Sequence, residues 1–250
     1  MGFWSKTVWL LFGLALGAAA QSITVAAAAN VQYALHPLAE RFEERTGISV
    51  RRVVASSGKL TAQIEHGAPF DLFLSADMKY PERLYASKKA VTKPRVYALG
   101  ALVLWTLRPL DLEEGLGVLA GRKVTKVAIP NPRTAPYGKE ALRVLKKSGL
   151  YERVAPKLIF GESVSQTNRY IVTTAADAGL TAKSALFSPT LKGRGRSIEI
   201  DPSLYGRIEQ GVVLLAYGRR HHPDASRAFY DFLFSPEGRR ILERFGYSLP

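Results

Sequence analysis

VASSGKLTAQIEHGAPFDLFLSAD, residues 54–77, decides how this chain is read. A strand-like run over residues 50–55 halts at Ser56-Ser57-Gly58, and a short helical pattern over 60–65 opens at once and stops at Gly67. Residues 70–74 are then apolar enough to be covered on both faces, as a strand of a parallel sheet must be, and they end in Ser75-Ala76-Asp77. A strand-to-helix turn made of small polar residues leaves unpaired N–H groups aimed outward at a helix N-terminus. Such an end is either capped by a side chain or available to an anion. Repetition of the device elsewhere in the chain separates the two.

The same alternation runs from end to end. Strands are predicted over residues 23–27, 48–55, 70–74, 98–107, 124–129, 179–182 and 212–217, and helices between them over 60–65, 78–89, 137–147 and 165–176. The first helix carries Leu35, Leu38, Ala39 and Phe42 at helical spacing and ends at Thr46-Gly47; Pro37 implies either a late start or a kink. Two helices close the chain, over 225–234 and 236–245, the second with Ser235 as N-cap and Pro236 at its first position. Strands alternating with helices specify an α/β fold with largely parallel sheets. Gly100 and Gly211 sit in or beside long apolar strands, a pattern expected where the chain leaves one lobe and later returns to it. The expected organisation is residues 21–97 plus 208–250 as lobe I and 98–207 as lobe II.

Residues 1–20 are set apart. Lys6 is their one charge, residues 7–17 form a short apolar core, and Ala18-Ala19-Ala20 is a cleavage pattern before Gln21, so a cleaved secretory signal is expected. The chain has no cysteine, which excludes disulfides, thiol nucleophiles, cysteine metal sites and an N-terminal lipid-anchored cysteine. A periplasmic protein without a lipid anchor is the expectation. The net charge of +14 is spread among acidic residues, as in Glu40-Arg41-Phe42-Glu43-Glu44-Arg45, and forms no basic stripe. It points away from nucleic acid and toward mild steering of small anions.

Four helix entrances follow strands: Ala26-Ala27-Ala28-Ala29-Asn30, Ser56-Ser57-Gly58, residues 130–138 (PNPRTAPYG) and Gly161-Glu162-Ser163-Val164-Ser165. Ligands of open α/β sheets bind beyond the carboxyl ends of the strands, where helix N-termini also point. The alanines allow close backbone approach, Asn30 offers a cap or an amide donor, and Ser57 offers a hydroxyl. With two entrances from each lobe, uncharged dipoles can neutralise a small dianion with no salt bridge.

The 54–77 stretch resembles a segment of the periplasmic molybdate-binding proteins that serve ABC transporters, commonly A-S-S-x-x-L-x-x-Q-I-x-x-G-A-P-x-D-L-F-x-S-A-D. ITVAAAAN, from Ile23, is similar to that family's opening strand, IPNPRTAPYGKEAL to its third entrance, and AFYDFLFSPEGRRILERFGYSLP to its closing helices. The resemblance implies a type II periplasmic-binding-protein fold, two lobes closing like a hinged jaw on molybdate or tungstate, and delivery to an inner-membrane ABC permease. It also implies a monomer with no cofactor and no catalysis. Carried over by position, the oxyanion would meet Asn30 by side chain and N–H, Ser57 by hydroxyl and N–H, and the N–H groups of Tyr137 and Val164. Ala29 and Gly58 would flank it. Three positions depart from the pattern: Asn30 stands where many members have Ser, Ala29 where the preceding small residue can be Thr, and Ala182 where some members place a Tyr against the anion.

Other chemistries find little support. His221-His222 and Asp224 read as a solvated turn, Asp71 and Asp77 as structural carboxylates, and Lys59 and Tyr33 as residues bordering the cleft. No G-x-S-x-G, P-loop or G-x-G-x-x-G is present, and GRGR at 193–196 is followed by no Lys-Ser/Thr. Two alternatives stay open: a receptor for another tetrahedral oxyanion (sulfate, thiosulfate or phosphate), and a periplasmic enzyme acting on anionic esters.

Overall fold

The computed structural model describes residues 21–250; residues 1–20, which carry the expected secretory signal, lie outside the described residues. The chain builds β1 (Ser22–Ala28), α1 (Gln32–Thr46), β2 (Ser49–Ala55), α2 (Ser57–Glu65), β3 (Leu72–Leu74), α3 (Lys79–Ala86) and β4 (Arg95–Gly100) in one half. It continues with β5 (Leu102–Thr106), β6 (Val127–Pro130), α4 (Pro136–Lys147), α5 (Tyr151–Val154), β7 (Leu158–Gly161), α6 (Val164–Val172), β8 (Ala178–Ala182) and β9 (Arg196–Glu199). It closes with β10 (Ile208–Leu214), α7 (Ala216–His221), α8 (Pro223–Leu233) and α9 (Pro236–Arg244).

These strands form two five-stranded sheets, ordered β2-β1-β3-β10-β4 and β7-β6-β8-β5-β9. In the first, β10 pairs antiparallel with β3 and β4 while β1 pairs parallel with β2 and β3. In the second, β5 is antiparallel to β8 and β9 while β6 is parallel to β7 and β8. Each lobe is thus a mostly parallel sheet crossed by one reversed strand, and the reversed strands are the ones adjoining the crossings between lobes.

Burial follows the period of two along each strand. Val25 and Ala27 of β1 face one core with α1, α8 and α9, whereas Ala26 faces another with Leu60 and Ile64 of α2 and Leu84 of α3. Phe42 of α1 meets Phe229 of α8 edge-on at 5.1 Å, so the closing helices return to the first sheet. In the second lobe Leu102 and Leu104 pack with α4, and Val103 and Trp105 pack toward Ile171 of α6.

Three sequence expectations change. The apolar run expected as one strand over 98–107 is two strands in different sheets, because Ala101 carries the chain across between β4 and β5. β7 and β9 were not predicted; both are short edge strands with exposed residues and so lack an apolar signature. Residues 215–217, expected to end a strand, instead turn into α7. Helix α1 begins at Gln32 and runs through Pro37, whose missing N–H falls in its second turn.

Candidate functional site

Each of the four entrances places a helix N-terminus at the carboxyl end of a strand, and all four meet in one small cavity between the lobes. Ala28, Ala29, Asn30, Ser56, Ser57 and Ala76 line it from the first lobe, and Ala135, Pro136, Tyr137 and Val164 from the second. The cavity is about 10 Å³ as swept by the centre of a water-sized sphere, on the scale of a single small group and far too small for a sugar or an amino acid. No charged side chain lines it.

The backbone explains why this hollow suits an anion. Among the described residues, the N–H groups of Asn30, Ser57, Tyr137 and Val164 donate to no other residue. Neighbouring N–H groups are occupied: Ala29 N–H donates to Ala55 O at 2.9 Å, and Gly58 N–H donates to Thr134 O at 2.9 Å across the cleft. Helices α2, α4 and α6 begin at the cavity, and their dipoles add positive potential there. Pro136 at the start of α4 removes one donor where Tyr137 supplies the next.

Ser57 is buried, and its Oγ accepts from Ala76 N–H at 3.0 Å. With a lone pair engaged there, its proton remains available to a guest. Gly58 does not line the cavity. A Cβ on it would lie 3.1 Å from Thr134 Cα and O, so glycine here lets the second lobe's backbone approach. Ala29 lines the cavity with a methyl group and has no N–H to offer.

Asn30 departs from the expected cap: Val31 occupies the N-cap position of α1. The Asn30 Nδ2 group donates to Gln210 Oε1 at 2.8 Å and to Tyr247 Oη at 2.9 Å. Its backbone oxygen accepts from Ser184 Oγ (2.8 Å) and Tyr247 Oη (2.9 Å). Oδ1 is buried without a partner. A half-turn about the Cβ–Cγ bond would exchange Oδ1 for Nδ2 without change of shape, and Gln210, whose amide both donates and accepts, can turn in step. Gln210 Nε2 also lies 3.4 Å from Tyr137 Oη, linking the floor of the site to both lobes. Burial raises the Tyr137 hydroxyl well above its ordinary range and raises that of Tyr247, so both remain protonated donors.

At the rim, Lys59 Nζ lies 2.6 Å from Glu162 Oε1, pairing α2 with the loop before α6. Asp71 is a structural carboxylate, accepting from Thr24 N–H at 2.6 Å and contacting His222 Nδ1 at 2.8 Å. Asp77 Oδ1 accepts from Tyr80 N–H at 3.3 Å near the start of α3, whose N-cap position is held by Met78. Ala182 ends β8 in the core and does not line the cavity. Of the six residues the sequence nominates, Asn30, Ser57, Tyr137, Val164 and Ala29 line the cavity and Gly58 stands outside it. Sequence reading missed Ser56, whose position beside Ser57 was a usable signal, and Gln210, Ser184 and Tyr247, which arrive from distant segments with no local mark.

Residues 23–248 match the bacterial extracellular solute-binding proteins. The chain belongs to that family. Among relatives of this solute-binding protein, the molybdate-binding protein ModA of Rhodobacter capsulatus is 37% identical over 95% of this chain and 92% of its own length. The ModA of Azotobacter vinelandii is 35% identical over 94% and 93%. The solved periplasmic molybdate-binding protein of Azotobacter vinelandii superposes with a TM-score of 0.85 at 32% identity, covering 91% of this chain and 99% of that one. The sulfate-binding protein SubI of Mycobacterium tuberculosis shares the fold, with a TM-score of 0.76 at 16% identity over 91% of this chain and 86% of that one. The expected fold, two lobes of mostly parallel sheet, and the resemblance to periplasmic molybdate-binding proteins are both borne out.

Proposed function

We propose that this protein is the periplasmic receptor that captures molybdate, and tungstate of the same shape and charge, for an ABC-transporter permease in the inner membrane. One observation carries the reading: four unpaired backbone N–H groups, two from each lobe, face one small cavity lined only by neutral groups. An unprotonated tetrahedral dianion needs donors on every side and no acceptor. The N–H groups of Asn30, Ser57, Tyr137 and Val164 and the Ser57 hydroxyl supply them, each worth about 1.5–3 kcal/mol as a charge-assisted bond. Phosphate fits less well, since at neutral pH it keeps a proton that asks for an acceptor, and Glu162 at the rim is already paired with Lys59.

The working protein is a monomer, free of lipid and exported by a cleaved signal, and needs no cofactor. It acts by binding and not by catalysis, a reading supported by relatives named as binding proteins. Relatives named as molybdate-binding proteins favour molybdate over sulfate, whose receptor shares only the fold. Calorimetric titration with molybdate, tungstate, sulfate and phosphate tests this. Saturable binding of the first two, at least tenfold tighter than the others, is expected. Preference for sulfate or phosphate, or hydrolysis of anionic esters, would replace the reading.

A further inference from the structure

We propose that Ser56 is a ligand-binding residue of this site, donating its hydroxyl proton to the bound oxyanion alongside Ser57. The inference rests on the oxyanion reading given above. Ser56 stands at the N-cap of α2, where a serine ordinarily turns Oγ back to accept an N–H of the first helical turn. Here it makes no such bond. Ser163 and Ser235, the capping serines of α6 and α9, each accept the N–H three residues on, whereas Ser56 Oγ accepts from neither Gly58 nor Lys59, and Gly58 N–H donates across the cleft to Thr134 O.

The Ser56 side chain is thereby left in an unusual position. Ser56 is 3% exposed, its Oγ has no hydrogen-bond partner, and it lines the cavity. Buried hydroxyls without partners are rare because each forfeits its hydration with no return. Only Asn30 shares this condition among the cavity-lining residues, and its bare atom is an amide oxygen. A hydroxyl can turn its proton toward whatever occupies the hollow, at no cost in broken bonds. Ser57 Oγ is fixed by Ala76 N–H while Ser56 is unconstrained, so the two adjacent hydroxyls present one oriented and one adaptable donor at a single helix N-terminus.

Capping of α2 and binding of the ligand are alternative uses of one side chain.

Calorimetric titration of the wild-type chain, Ser56→Ala and Ser56→Cys with sodium molybdate tests this, together with melting temperatures of each protein without ligand. The expected result is Kd raised about 5- to 100-fold in both variants, the range of one lost hydrogen bond to a charged group, with ligand-free melting temperatures unchanged. Wild-type binding with Ser56→Ala within twofold of it overturns the role of Ser56 and leaves the receptor reading intact. Failure of the wild-type chain to bind any oxyanion overturns the receptor reading itself. Should alanine lower the ligand-free melting temperature, Ser56→Cys decides, because it keeps the shape and replaces a strong donor by a weak one; affinity within twofold of wild type then overturns the proposal.

Discussion

The hydroxyl of Tyr137 occupies the space that a side chain on Gly100 would need. A Cβ built on Gly100 falls on Tyr137 Oη and within 2.7 Å of Gln210 Nε2. Gly100 ends β4 immediately before the chain crosses between the lobes, and Tyr137 contributes a free N–H to the cavity. The crossing strand and the ligand site are therefore packed against each other. Gly100→Ala should destabilise the fold by about 1–3 kcal/mol through overpacking, or roughly 2–12 °C in melting temperature. Adding Tyr137→Phe should restore part of the loss. Calorimetric melting of the single and double variants checks this, and an additive double variant would refute the packing account.

Ser57→Ala should weaken molybdate binding by about 1–3 kcal/mol, since it removes a hydroxyl donor and the acceptor of Ala76 N–H. Calorimetry reads the change directly. An unaltered Kd would take the Ser57 hydroxyl out of the site.

The lobes touch through Gly58 N–H to Thr134 O, Ser184 Oγ to Asn30 O and the Lys59–Glu162 pair. Small-angle scattering should accordingly show a smaller radius of gyration with molybdate than without. The ion pair is a minor part of that closure, because its side chains are 51% and 61% exposed. Lys59→Met should change Kd by less than about fivefold, the effect of a surface pair worth up to ~1 kcal/mol. An unchanged radius on adding ligand would contradict hinged closure.

Asp177 gives a pH signature far from the site. Desolvation pulls its pKa up, but hydrogen bonds from Thr125 and Lys126 and the charge of Arg108 outweigh it and hold the pKa below the ordinary carboxylate value. A depressed folded-state pKa contributes stability that is present above the unfolded value, about 3.9, and is lost as pH falls through the folded one. Asp177→Asn should therefore lower stability by about 1–3 kcal/mol at neutral pH, and the gap should narrow below about pH 4. Melting curves across that range decide it.

The residues alone determined the alternating α/β order, the return of the last helices and the four small or polar helix entrances. Period, capping chemistry and proline placement are local properties, so Leu35, Phe42, Ser57 and Ser235 announce themselves in the sequence. Tertiary structure decided which hydrogen bonds those entrances keep. Gly58 N–H chooses Thr134 O and Asn30 turns from capping to Gln210 and Tyr247, through contacts 76, 180 and 217 positions apart. The same cause divided the 98–107 run between two sheets and left Ser56 without a partner. A donor's partner depends on which distant segment packs beside it, and burial fixes that choice only when both lobes are in place.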